Sequence, residues 1–188
     1  MDQDATKRSF NEFDEKYGYD SAYLIEAMEA SPAGFAKFLQ FMPLAEHRQA
    51  APIEALFVAN LVATQASDCG SCLQFVARMA REAGLSNEII QATVSGGDQL
   101  PDHLKLIKRY ALAVANAEFI DPDLLDAVRE QYSDTAITEI AFRIATARVF
   151  PTIKRASEQK QINLVSALRR NRINGSSTLS SKRSKTAI

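Results

Sequence analysis

The run Ile53-Glu54-Ala55-Leu56-Phe57-Val58-Ala59-Asn60-Leu61-Val62-Ala63-Thr64-Gln65, followed closely by Ser67-Asp68-Cys69-Gly70-Ser71-Cys72, decides the fold of this chain. Pro52 precedes it, where a helix start tolerates the missing N–H, so a helix is expected over 53–65. Ile53, Leu56, Phe57, Asn60, Leu61 and Thr64 recur at helical spacing on one face, apolar at its start and polar toward the cysteines. Ser67 or Asp68 then stands where a cap belongs. The helix it opens carries Cys69, Cys72, Val76, Met79, Ala80 and Ala83 on one face, with Gly84 as its stop.

The rest of the chain repeats this grammar. Residues 1–19 form a polar arm in which Phe10, Phe13, Tyr17 and Tyr19 are scattered, read as a loose helix that docks aromatic rings on the body. Residues 20–30 read as a short helix. Ser31-Pro32 opens another with Phe35, Phe38, Leu39 and Met42 at helical spacing, and Pro43 marks its end. Beyond the cysteines, Ser86-Asn87-Glu88 caps a short helix over 89–94, and Gly96-Gly97-Asp98 is a turn. Pro101 begins a helix with Leu104, Ile107, Leu112 and Val114 as its expected buried positions, and Asp121-Pro122-Asp123 caps the next. Ser133-Asp134 starts a long one whose face carries Ile137, Ile140, Ala141, Ile144, Ala147 and Arg148, to be kinked or restarted at Pro151. A last helix is expected over 152–172, on a stripe of Ile162, Val165 and Leu168. Residues 173–188 form a Ser-rich, basic tail without the apolar content to fold. The expected architecture is all-α: a single domain over 20–172 of about seven or eight helices paired as helical hairpins, with short connections.

Composition agrees with that class. At 188 residues and 46% hydrophobic, the chain is long enough to bury a core without disulfide staples. The longest charge-free run, 55–67, is too short to span a bilayer, and the acidic start Met1-Asp2-Gln3-Asp4 has no signal-peptide pattern. A cytoplasmic protein without a membrane partner is the expectation. Nine Lys/Arg and one Glu follow from Lys154 on, a local charge of +8 against −9 for the 153 residues before it. An acidic body with a basic tail can meet an anionic partner. A solvated helix end and tail explain the same asymmetry, and nucleic acid is not called for.

The chemistry rests on Cys69 and Cys72, the two cysteines of the chain. A thiol in the first turn of a helix faces unpaired N–H groups and the positive end of the helix dipole, which favour the thiolate. Two residues between the sulfurs let one attack a substrate while the other closes a disulfide and releases the product. Thiol–disulfide exchange and peroxide reduction through a sulfenic acid both fit. So does a purely structural pair, since cysteine is often just a small buried apolar residue. Zinc would need further ligands, and His47 and His103 lack finger-like spacing from the pair, so no metal or other cofactor is expected.

The segment from Ala50-Ala51-Pro52-Ile53-Glu54 through Asp68-Cys69-Gly70-Ser71-Cys72 to Arg81-Glu82-Ala83-Gly84-Leu85-Ser86 resembles the carboxymuconolactone decarboxylase-like superfamily. The cysteine pair resembles its alkylhydroperoxidase D branch, over roughly residues 30–155. The resemblance implies a homo-oligomer of helical hairpins. It also implies a thiol-dependent peroxidase or thiol–disulfide oxidoreductase, acting on a peroxide or disulfide and re-reduced by a lipoylated protein or another dithiol. Carried over, Cys72 would be the attacking sulfur and Cys69 the resolving one. The pattern departs where the family has its proton relay. Its His, four residues after the second cysteine, is Val76 here, and its Glu, twelve before the first, is Phe57. Glu54, Asn60, Thr64 and Asp68 are the possible accessory groups. The alternative is a non-catalytic helical oligomer that kept the fold and lost the relay.

Overall fold

The computed structural model describes residues 2–157; Met1 and residues 158–188 lie outside the described residues, and with them the expected 162–168 stripe and the tail. The chain divides into a body, Met1–Ile153, and a second unit from Lys154. In chain order the helical elements are α1 (Gln3–Tyr17), α2 (Ala22–Ala30), α3 (Pro32–Phe41), a 3-10 turn (Met42–Ala45), α4 (Ile53–Ala66), α5 (Gly70–Glu82), α6 (Asn87–Val94), α7 (Asp102–Asn116), α8 (Pro122–Gln131) and α9 (Asp134–Ala156). Among the described residues there is no strand, and the expected all-α class holds. The N-terminal arm supplies one helix beyond those expected for the body.

α4 is buried on every side, at all positions from Ala55 to Thr64. It packs against α5, α6 and α7, and its residues divide between two apolar clusters. Ala55, Leu56, Val58, Ala59, Val62 and Ala63 join Leu104, Ile107 and Ala111 of α7 and Ile140 and Ile144 of α9. Phe57 and Leu61 join Val76 and Ala80 of α5 with Leu85 and Ile90. At roughly 1.5–3 kcal/mol for each large apolar side chain removed from water, the burial of α4 is a substantial contribution to stability. A third cluster, Tyr23, Leu24, Met28 and Phe35, forms where α2 meets α3.

The arm is an ordered helix rather than a loose one. Asp2 caps α1, its Oδ1 accepting from the N–H groups of Asp4 and Ala5 at 3.0 and 3.1 Å. Phe13, Tyr17 and Tyr19 surround the Phe75 ring of α5 with centroids 5.0, 5.2 and 5.3 Å away, and the Arg78 guanidinium donates to the Tyr17 carbonyl.

Local expectations are corrected in α5, α7 and α9. Neither Ser67 nor Asp68 caps α5: Cys69 is the N-cap residue, and its side chain makes no capping bond. Asp68 instead takes the left-handed backbone, φ 51°, at the reversal between α4 and α5, a conformation aspartate tolerates better than most residues. Leu112 is 41% exposed; α7 buries Ala111, Ala113 and Ala115 instead, and Ala111 and Ala115 share a cluster with the alanines of α4. The inward face of α9 is rotated from the expected one, since Arg148 is exposed while Glu139, Arg143 and Thr146 are buried. The helix is continuous through Pro151, so no restart occurs there.

A buried carboxylate explains that rotation. Glu139 accepts from the backbone N–H groups of Gln49, Ala50 and Ala51 at 2.6, 3.0 and 2.7 Å, which pins the loop before α4 onto α9. Burial alone would raise the Glu139 pKa, but the three N–H donors and nearby His47 outweigh it and hold the carboxyl below its ordinary 4.5. The folded-state pKa is therefore below the unfolded one. Its stabilisation is complete above the unfolded value and fades as pH falls through the lowered one. Glu139→Gln is expected to cost about 2–3 kcal/mol at pH 7 in urea denaturation, and the gap to wild type should narrow at about pH 3. A gap that stays constant across that range would rule out the carboxylate anchor.

Candidate functional site around Cys72

The end of α4 and the start of α5 place the two sulfurs. Because α5 starts at Gly70, Cys69 precedes the helix and Cys72 lies in its first turn, with the two Cα atoms 5.3 Å apart. The sulfurs are joined as a disulfide, and both residues are 4% exposed. They differ in what they face. Cys69 Sγ lies 3.8 Å from the Ser71 hydroxyl. Cys72 lines a cavity of about 400 Å³ bounded by α1–α5, the 3-10 turn and α9. Exposed Pro43 and Glu46 place its rim at the surface.

The cavity is mainly apolar and aromatic: Phe10, Phe13, Leu39, Phe75, Val76 and Phe150 form much of its wall. The Tyr19 hydroxyl lies 3.5 Å from Cys72 Sγ and 3.1 Å from the Tyr23 hydroxyl. A disulfide sulfur has no proton, so Tyr19 is the donor of the first contact, and Tyr23 can supply a hydrogen to the Tyr19 oxygen. Burial raises the pKa of Tyr19, and that of Tyr23 further, so both are neutral phenols across the physiological range.

Of the sequence-derived accessory residues, the structure brings two to Cys72. Asn60 and Thr64, one turn apart on α4, line the same cavity, with Thr64 Oγ1 donating to Asn60 Oδ1 at 3.2 Å. Glu54 is not brought there. It lines a separate cleft of about 200 Å³ with His103, Gln131 and Tyr132. Asp68 is exposed and does not line the cavity. Val76 and Phe57, the positions where the resembled pattern carries its relay, belong to one apolar cluster. Neither can take or give a proton. His47 is exposed, with Nε2 3.8 Å from Glu139 Oε1. Among the described residues, no three His, Cys, Asp or Glu side chains are gathered as metal ligands would be, and no helix is long and apolar enough to cross a membrane.

Sequence reasoning missed Tyr19, Tyr23 and Arg143. Arg143 of α9 is 6% exposed and lines the cavity, its guanidinium carbon 5.6 Å from the centroid of the Phe57 ring. A signal for it existed: Ala136, Ile140, Ile144 and Ala147 mark an inward stripe, and residue 143 falls beside it. No comparable signal pointed to Tyr19 or Tyr23, whose meeting depends on how the arm docks. No protein-family model matches the chain, and no curated protein matches it.

The Tyr19 contact has a measurable consequence once the disulfide is reduced. A neutral phenol donating to Cys72 favours the thiolate, so Tyr19→Phe is expected to raise the Cys72 thiol pKa by roughly one unit. Thiolate absorbance in the ultraviolet, titrated in a Cys69→Ser background, reads that value directly. An unchanged or lowered pKa would mean that the phenol does not act on the sulfur.

Proposed function

We propose that the protein is a thiol–disulfide oxidoreductase whose substrate-facing sulfur is Cys72 and whose partner sulfur is Cys69. The observation that carries this reading is the asymmetry of the pair: the Cys69–Cys72 disulfide presents Cys72 alone to the cavity. In the reductive half-reaction a thiolate of a dithiol donor attacks Cys72 Sγ, the Cys69–Cys72 bond breaks, and Cys69 leaves as thiolate and takes a proton. The donor's second thiol, losing its proton, then attacks its own sulfur in the mixed disulfide and expels Cys72, which is protonated in turn. The donor has lost two electrons and two protons, and the protein holds two thiols. Reversal of these steps reduces a disulfide substrate.

Exchange is favoured over peroxide reduction by what surrounds the sulfur. In peroxide reduction the Cys72 thiolate attacks an oxygen and forms a sulfenic acid while an alkoxide departs as alcohol. Cys69 then attacks that sulfur and water leaves. The alkoxide needs a proton from a positioned acid, a contribution of roughly 10²–10⁴-fold. Val76 and Phe57 supply none, and the raised pKa of Tyr19 makes it a reluctant donor. In exchange the leaving group is a thiolate, whose parent thiol has a pKa of about 8.5 and departs without such help. The peroxidase is therefore the secondary activity in this reading, with a lipoylated protein or another dithiol as electron donor. A cytoplasmic homo-oligomer belongs to the same proposal, and Leu112, Phe119 and Phe142 are exposed apolar side chains that an interface would cover.

The test is adduct trapping. With an aryl disulfide as the oxidant, and a small dithiol added for wild type alone, Cys69→Ser should accumulate a mixed disulfide at Cys72 as the aryl thiolate leaves, located by peptide mass. Cys72→Ser should accumulate far less at Cys69, and wild type should turn over. Equal labelling of the two single variants, or preferential labelling of Cys69, would overturn the assignment. Loss of all reactivity in both variants and in wild type would leave a structural disulfide in a non-catalytic helical protein.

A further inference from the structure

The wall of the Cys72 cavity holds a cation that the described residues do not neutralise. Arg143 is more than nine-tenths buried, and among the described residues its guanidinium makes no hydrogen bond and no ion pair. Its close partner is the face of Phe57. Two carboxylates come into question. Glu139, one turn earlier on α9, is engaged by the three backbone N–H groups of residues 49–51. Glu46 lines the rim, where it is exposed to water, and acts on Arg143 only through its longer-range field. Burial presses the Arg143 pKa down, yet a guanidinium remains protonated in proteins, so the cavity contains a fixed positive charge.

An unpaired buried charge is costly, and contact with an aromatic face offsets only part of the cost. A folded protein that retains one in a cavity of ligand size is poised to complete it with an anion. Guanidinium offers a planar fork of donors that matches a carboxylate, where an ammonium would give a point charge. The remaining wall is mainly apolar, with Phe10, Leu39, Phe75 and Phe150 among its residues, and its polar side chains include Asn60 and Thr64, which are bonded to each other. That apolar and aromatic part provides for a hydrocarbon or aromatic body.

We propose that the Cys72 cavity binds small organic monocarboxylates with an apolar body, the carboxylate held by Arg143. The proposal deepens the thiol–disulfide reading, on which it rests for the identity of the reacting sulfur. It gives the class of disulfide substrate as one that carries a free carboxylate on an apolar chain, whereas a lipoylated donor, its carboxylate tied up in an amide, makes no such contact. Arg143 orients such a substrate and takes no part in bond exchange.

The experiment uses ligands without sulfur, so that binding is read independently of thiol chemistry. The oxidised full-length protein is titrated calorimetrically with octanoate, octanamide and 1-octanol, which share a tail and differ in charge. Wild type should bind octanoate roughly 10- to 100-fold more tightly than octanamide, the range expected for hydrogen bonds to a charged group. In Arg143→Gln that preference should fall to about threefold or less, with octanamide affinity retained, and Arg143→Lys should keep an intermediate preference. Equal binding of octanoate and octanamide by wild type, or an unchanged preference in folded Arg143→Gln, would overturn the proposal. Should Arg143→Gln fail to fold, the wild-type ratio and its Arg143→Lys counterpart decide the matter. A carboxylate preference together with failed adduct trapping at Cys72 would sink the redox reading alone. Trapping without a carboxylate preference would sink only this inference.

Discussion

A helix with no face left for water organises this protein. Because α4 is buried from Ala55 to Thr64, each of its sides needs a covering element, and α5, α6 and α7 provide them. Its side chains sort the surroundings. Alanines accept the close approach of α7, while Phe57 and Leu61 fill the space toward α5 and α6. Asn60 and Thr64 are exceptions on an otherwise apolar cylinder. Burying their polar atoms is tolerated because Thr64 donates to Asn60 and both line the cavity. The polar strip on α4 and the first turn of α5 thus form parts of one wall, and the cysteine site is a by-product of how α4 must be covered.

The same constraint explains why the cavity takes its remaining members from distant parts of the chain. α5 covers one side of α4 and is itself covered by the aromatic rings of the arm around Phe75. That docking carries Tyr19 to within 3.5 Å of a sulfur 53 positions away in sequence. On the other side Glu139 holds the loop before α4 by three backbone donors, which fixes the rotation of α9. Residue 143, one turn further, then faces the cavity. An anchoring carboxylate and a cavity-facing guanidinium are coupled by helical spacing, and the first determines where the second points.

Helical class, the α4 and α5 segments and the closeness of the two cysteines were legible because each has a local cause. Proline starts, capping residues and apolar recurrence act over one or two turns, and Ser86 does cap α6 by accepting from Ile89 N–H. The features that sequence did not reveal have non-local causes. Asp68 looked like a cap by residue type, yet the reversal between α4 and α5 needed a residue in the left-handed region, and Asp68 occupies it. Glu54 lay one turn from Phe57, where the resembled pattern has a carboxylate, but it lines a separate cleft with His103. Arg148 and Arg143 have identical chemistry, and only the Glu139 anchor decides which is exposed and which is buried. Charged residues on a helix are read as solvated by default, and here that default hid the most consequential side chain of the cavity.

Val76 and Phe57, which stand where the resembled pattern has proton carriers, shape the site in a second way. Phe57 presents its ring to Arg143, and a carboxylate at that position would instead have formed a buried ion pair with the guanidinium. Such a pair would have neutralised the cation and occupied its hydrogen-bond donors. An aromatic face stabilises the cation without occupying its hydrogen-bond donors. Exchange chemistry is also less dependent than peroxide chemistry on a positioned acid, because its leaving group is a thiolate. Val76, Phe57 and an arginine without an ion pair among the described residues are therefore compatible with the proposed exchange chemistry, which asks for no positioned acid and leaves the guanidinium donors open to a ligand.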